Sequence, residues 1–193
     1  MNPRGVRTHA EILDVAWRVF AKRGTDVSMA EIAEAVGLTR QAIYVHFRSR
    51  GGLLVALVRR ADERTGIHAK FRAALATSEP RNRLDAFLGV WFDFVPEIHP
   101  VASSLMRARA DDPDAAAAWT DRMTSLHGGF ADLARSLRRD GALASAWTAP
   151  GAADYLWAGS SVQAWELLAV DRRWGAAKTS KTLRRTLAAA VLA

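Results

Sequence analysis

The chain has 193 residues, half of them apolar, enough to bury a sizeable core as one generous domain or as a small domain joined to a larger one. It contains no cysteine, which excludes disulfides and thiolate metal sites, and no run near the roughly 18 uncharged apolar residues of a membrane span; the most apolar window, 87–95, is interrupted by Asp93. The formal charge of +7 is unevenly placed: residues 1–60 hold ten Lys/Arg against five Asp/Glu, and the remaining 133 hold seventeen against fifteen. The basic excess therefore sits in the first third, where a polyanion would be met.

Residues 2–8 form a short arm carrying Arg4 and Arg7, suited either to phosphates and a minor groove or simply to solvent. No apolar core of a secretory leader precedes the first helix, so a cytoplasmic location is expected. Over 9–23 the stripe Ile12, Leu13, Ala16, Val19 and Phe20 predicts an amphipathic helix ended at Gly24.

Two short helices follow. Ser28 and Glu31 have capping-box spacing, and Met29, Ile32, Ala33 and Val36 share one face. Gly37 supplies a left-handed terminus and Thr39 an N-cap for the next helix. There Ile43 and Phe47 fall on the buried side, while Arg40, Gln41 and Tyr44 look outward. So short a helix is not stable alone. The pair reads as a helix-turn-helix whose second helix enters the major groove of DNA.

Ser49 then opens a helix expected to continue over 49–76, a rod of roughly 40 Å at about 1.5 Å per residue. Gly51 and Gly52 in its first turn weaken it by roughly 1 kcal/mol each and leave a bare N-terminus with no carboxylate. A phosphate there accounts for the pattern; a tolerated weak start is the alternative.

Beyond Ser78-Glu79-Pro80 the composition shifts to broad apolar faces. Leu84, Phe87, Leu88, Trp91, Phe92 and Val95 form one helix, Pro96 and Pro100 bracket a turn, and 101–110 is a further short helix. Asp111-Asp112-Pro113-Asp114 starts a helix with a seam of Trp119, Met123, Leu126, Phe130, Leu133 and Leu137, ended by Gly141. A helix opening at Thr148 or Pro150 carries Leu156, Trp157, Ala164, Leu167 and Leu168, with small residues at 158–161 that permit close approach. After a turn over 171–175 a last helix spans 179–192. No strand signal exists, so the fold class is all-α, with a helix-turn-helix domain over 1–52 and a helical domain over 53–193.

Residues 9–57 resemble the DNA-binding head of the tetracycline-repressor (TetR) family, in the segments ILDVAWRVFAKRG, SMAEIAEAVGLTRQAIYVHF and SRGGLL taken in order. The resemblance implies a homodimer, a DNA-binding head, and a C-terminal domain that binds a small molecule and forms the dimer interface. It places phosphate contacts at Ser28, Tyr44, His46 and Arg50, and base-facing positions at Arg40, Gln41 and Ala42, with Thr39 at the entry of the same helix. Arg50 stands where the family more often has lysine, and Gly51-Gly52 departs from its usual first turn. Side-chain chemistry agrees: Arg40 suits guanine and Gln41 adenine, while Tyr44, His46 and Arg50 donate to phosphates. His46 has a second reading, as a cap for the last carbonyls of its helix.

The expected partners are a near-palindromic double-stranded DNA operator, a second copy of the chain through 154–171 and 179–192, and a hydrophobic or aromatic effector; no membrane or cofactor is expected. Six of the seven tryptophans lie beyond residue 90. The effector site is expected among Trp91, Phe94, Ser103, Trp119, Met123, His127, Trp157 and Gln163, with the effector releasing a repressor from DNA. A DNA-binding dimer without an effector is the alternative. Catalysis has little to support it: the five histidines show no metal spacing, and no phosphate loop follows a strand.

Overall fold

The computed structural model describes residues 9–23 and 27–193. The expectations for Arg4, Arg7 and Gly24 lie outside the described residues. The elements are α1 (His9–Arg23), α2 (Met29–Val36), α3 (Arg40–Phe47), α4 (Arg50–Thr65), α5 (Ile67–Leu75), α6 (Pro80–Ala108), α7 (Pro113–Arg139), α8 (Ala149–Gly159), α9 (Val162–Glu166), a π-helical turn (Leu167–Asp171) and α10 (Ala176–Val191). The protein is all-α as expected; an isolated antiparallel bridge joins Leu143 and Leu192.

Two compact units divide the chain. One takes the residues up to Arg64 together with Pro100–Trp119, the other Thr65–His99 together with Thr120–Ala193. Helices α6 and α7 thus each contribute a stretch to both.

In the first unit, Ile12, Leu13, Ala16 and Phe20 of α1 are buried with Met29, Ile32, Ala33 and Val36 of α2 and with Ile43 and Phe47 of α3. Helix α4 adds Leu53, Leu54, Leu57, Val58 and Ala61. The Arg60 guanidinium grips Asp14 with both ends, Nε to Oδ1 at 2.8 Å and Nη2 to Oδ2 at 2.9 Å, tying α4 to α1. In the second unit Phe87 is sandwiched between Phe71 and Phe130, at ring distances of 4.5 and 5.2 Å. The buried Arg83 donates to Asp140 at 2.6 Å and to the Thr77 and Ser78 carbonyls.

Four helix boundaries differ from expectation. The rod over 49–76 is two helices, because Gly66 adopts a left-handed backbone (φ +60°). Helix α4 has 16 residues, about 24 Å at about 1.5 Å per residue. The turn expected between Pro96 and Pro100, and the separate helix over 101–110, are absent: α6 runs unbroken for 29 residues. Pro96 has no N–H for the Phe92 carbonyl four residues back, and the Ser180 hydroxyl donates to that oxygen instead, at 3.2 Å. The buried face formed by Trp91, Phe92, Phe94, Val95, Ile98, Val101 and Leu105 holds the helix together. At roughly 1.5–3 kcal/mol per side chain, it outweighs the roughly 3 kcal/mol of each of the two interior prolines, Pro96 and Pro100.

The helix expected to run from Thr148 through Leu168 is broken at Ser160. Thr148 does cap α8, accepting from the Gly151 N–H at 3.1 Å, but Ser161 caps a new helix, accepting from Ala164 N–H at 3.1 Å. The close approach expected at 158–161 is real: a Cβ on Gly159 would lie 2.6 Å from Leu187 Cδ2. The last helix starts at Ala176, three residues before the expected 179.

Candidate nucleic-acid interface

The start of α2 and the turn from α2 to α3 are fixed by local hydrogen bonds. The Ser28 N–H and hydroxyl both donate to Glu31 Oε2 at 2.8 Å, and the Glu31 N–H donates back to Ser28 Oγ at 3.2 Å. These bonds from Ser28, backbone first, hold the Glu31 carboxyl below the usual range, with Arg23 adding to the effect. Gly37 stands at φ +76° and donates to the Ala33 and Glu34 carbonyls. Thr39 Oγ1 accepts from the Ala42 N–H at 3.1 Å, starting α3.

Helix α3 is thereby anchored through Ile43 and Phe47, while Arg40, Gln41, Val45 and His46 are exposed and Ala42 and Tyr44 half-buried. The Arg40 guanidinium lies 5.5 Å from the Tyr44 ring centre and reaches its hydroxyl at 3.4 Å. Ser28, Arg40, Tyr44 and Arg50 line one open recess of about 430 Å³, with Val27, Met29 and Ala30. Four of the eight residues expected to face DNA thus share one hollow of hydroxyls and guanidinium groups, suited to a phosphate. His46 lies apart, its ring 6.3 Å from His9 and 6.0 Å from Phe47. Arg50 also supports the fold locally, since its Nε and Nη2 donate to the Val27 carbonyl at 3.3 and 3.2 Å, immediately before the Ser28 cap.

The start of α4 departs from the expectation of a bare N-terminus awaiting phosphate. A carboxylate of the chain itself occupies it. Asp112, from the loop between α6 and α7, accepts from the Gly51 N–H at 2.8 Å, and Ser49 Oγ donates to Asp114 at 3.0 Å. Asp112 Oδ1 also accepts from the Asp114 and Ala115 N–H groups, so one side chain caps α4 and α7 together. Burial opposes its ionisation, but the N–H groups of Gly51, Ala115 and Asp114 and the Ser49 hydroxyl outweigh it and hold the carboxyl below the ordinary range. Both glycines are sterically required. A Cβ on Gly51 would sit 2.5 Å from Asp112 Oδ1, and one on Gly52 2.2 Å from the Phe47 carbonyl oxygen. No sequence signal pointed at a partner 61 residues away.

The eight residues expected to meet an effector are distributed over both units: Ser103 and Trp119 lie in the first, the other six in the second. Trp91 and Phe94 are buried neighbours with ring centres 6.3 Å apart, and the Trp91 indole donates to the Ser160 carbonyl at 2.6 Å. Arg109 stands over the Trp119 ring at 5.4 Å. Met123 is half-buried on α7. His127 Nε2 lies 2.7 Å from Asp154 Oδ1, its ring edge-on to Trp157 at 5.8 Å. Among the described residues, Gln163 Oε1 is buried and makes no hydrogen bond, as are Ser160 Oγ and Trp165 Nε1 close by in the chain. Ser160 reads from the sequence only as a small residue permitting close approach, and Trp165, two residues after Gln163, only as one of several aromatics from which the pocket lining is drawn.

A capped helix-turn-helix on an all-helical scaffold is an arrangement that can present one helix to the major groove of DNA. Residues 12–57 match the sequence model of the bacterial regulatory proteins of the tetR family. Over this head the chain is similar to that family. It is 33% identical over 122 residues to the HTH-type transcriptional repressor Rv1474c of Mycobacterium tuberculosis, covering 60% of this chain and 58% of the relative. It is 49% identical over 47 residues to the HTH-type transcriptional regulator AcrR of Shigella flexneri, covering 24% and 22%. The match thus spans little more than half of the first relative and under a quarter of the second. Over nearly the full length, the fold is that of a candidate transcriptional regulator from Saccharomonospora viridis solved in complex with choline: TM-score 0.74, 19% identity, 96% of this chain and 97% of that one. Among the described residues no helix is long and apolar enough to cross a membrane.

Proposed function

We propose that the protein is a cytoplasmic transcriptional repressor that binds a near-palindromic operator as a homodimer and is released by a small hydrophobic or aromatic ligand. DNA contact resides in 1–52, ligand binding and dimerisation in 53–193. The observation that carries this reading is the exposed face of α3, with Arg40 and Gln41 presented outward beside a recess lined by Ser28, Tyr44 and Arg50. Arg40 and Gln41 are assigned to base edges near Ala42; Ser28, Thr39, Tyr44, His46 and Arg50 are assigned to the backbone.

The exposed Leu167, Val170 and Tyr155 support a dimer face over 154–171. Gln163 Oε1 and Trp165 Nε1, both buried without a hydrogen-bond partner, support a ligand that brings a donor and an acceptor. Release is a population shift. A ligand that prefers one arrangement of α6 and α7 acts on α4 through Asp112, and α4 directly follows α3. Its effect is limited to its differential affinity for the two states.

Footprinting on the DNA beside the protein's own gene, followed by a ligand panel against that complex, tests the reading. A protected near-palindrome released by a panel member is expected. Protection without sequence preference refutes the operator, and a complex that no ligand weakens refutes the release.

A further inference from the structure

We propose that Val45 is a specificity-determining residue that reads the 5-methyl group of a thymine in each operator half-site. The inference rests on the operator reading above.

Val45 is the most exposed of the large hydrophobic side chains that stand out from the described surface, at 79%, against 58% for Leu167 and 48% for Val170. With 3.6 residues per turn, it projects roughly 180° away from the midpoint of Ile43 and Phe47, the two side chains that anchor α3. It is therefore the outermost point of the helix, further from the core than Arg40 or Tyr44, which lean on each other along one flank. Gln41, one turn earlier, shares its face and is also exposed.

Nothing in the fold accounts for an apolar residue at this apex. Valine is a weaker helix former than alanine, and this one leaves 79% of its surface exposed in the chain itself. Its branched side chain has neither donor nor acceptor, so it can recognise only an apolar feature. The major groove offers one such feature on its base edges, the thymine methyl. The basic residues around it, Arg40, Arg48 and Arg50, draw the helix to a polyanion. Gln41 beside it suits adenine. The half-site is then expected to place an adenine and a thymine within reach of one helical turn.

The test uses the full chain and the duplex that it selects from a random pool. Each thymine is replaced in turn by deoxyuridine, which removes only the methyl group. One position per half-site is expected to weaken wild-type binding roughly fourfold, and both together about fifteenfold. Val45→Ala is expected to bind the thymine duplex more weakly and to be indifferent to deoxyuridine at that position. A cytosine at that position should gain affinity from 5-methylation with the wild type alone. If no deoxyuridine affects the wild type, or Val45→Ala responds as the wild type does, the assignment of Val45 is wrong while the operator reading stands. If the wild type selects no duplex, the operator reading itself fails and this inference with it.

Discussion

Replacing Gly51 by alanine separates two opposite expectations. Helix propensity alone predicts a gain of roughly 1 kcal/mol from Gly→Ala inside a helix. The geometry predicts a loss. The new Cβ would lie 2.5 Å from Asp112 Oδ1 and 2.7 Å from the Ala115 backbone nitrogen, and the latter cannot swing away as a side chain can. Displacing Asp112 breaks its bonds to the N–H groups of Gly51, Asp114 and Ala115, so the caps of α4 and α7 are lost together, at roughly 1 kcal/mol each. Overpacking adds about 1–3 kcal/mol. Set against the propensity gain, the net destabilisation is about 2–4 kcal/mol, a fall of roughly 4–16 °C in melting temperature for a chain of this size. Calorimetry of wild type, Gly51→Ala and Asp112→Ala measures it. Asp112→Ala should lose the caps without the clash. A melting temperature of Gly51→Ala equal to or above the wild type refutes the reasoning.

Ser180→Ala should cost about 1–2 kcal/mol in urea unfolding, because the Phe92 carbonyl freed by Pro96 loses its donor. In a Pro96→Ala background a backbone N–H takes that place and the cost of Ser180→Ala should shrink; an unchanged cost sinks the account. Arg48 holds a positive φ of 59° in the turn after α3, so Arg48→Gly should raise stability by roughly 1 kcal/mol, and a drop in the melting temperature contradicts strain there. Asp14, held down first by its hydrogen bond from Arg60, and Glu31 and Asp112 all have carboxyl pKa values below their ordinary ones. Lowered folded values mean that their contribution is complete above the ordinary carboxylate range, about pH 4, and is lost as pH falls through the depressed values. An acid titration should show stability falling there in the wild type, and less steeply in Asp112→Asn; parallel curves exclude Asp112 as a contributor.

The parts legible in the sequence are those whose chemistry is local. Ser28 with Glu31 specify the start of α2, and Gly37 and Thr39 the turn after it, through bonds spanning three or four residues, and the seams of α1, α2 and α3 follow from spacing alone. The misread parts depend on partners remote in the chain. Pro96 reads as a turn until Ser180 is known to satisfy the Phe92 carbonyl. Gly51 and Gly52 read as an open anion site until Asp112 is seen in it. Gly66 was the exception, a left-handed glycine within reach of sequence reasoning but overridden by the apolar pattern around it. Val45 was also legible, since its position opposite Ile43 and Phe47 follows from helical spacing; only its exposure drew attention to it.

The central claim is that α3 reads base edges, and it is tested by comparing the wild type with Arg40→Ala/Gln41→Ala on the selected operator duplex and on an unrelated duplex. Each lost bidentate contact is worth roughly 1–3 kcal/mol of discrimination, so operator affinity should fall by at least about thirtyfold. Binding to unrelated DNA should fall little and keep most of its salt dependence, because the remaining backbone contacts are shared. Equal losses on both duplexes, or an operator affinity that does not change, would contradict the account.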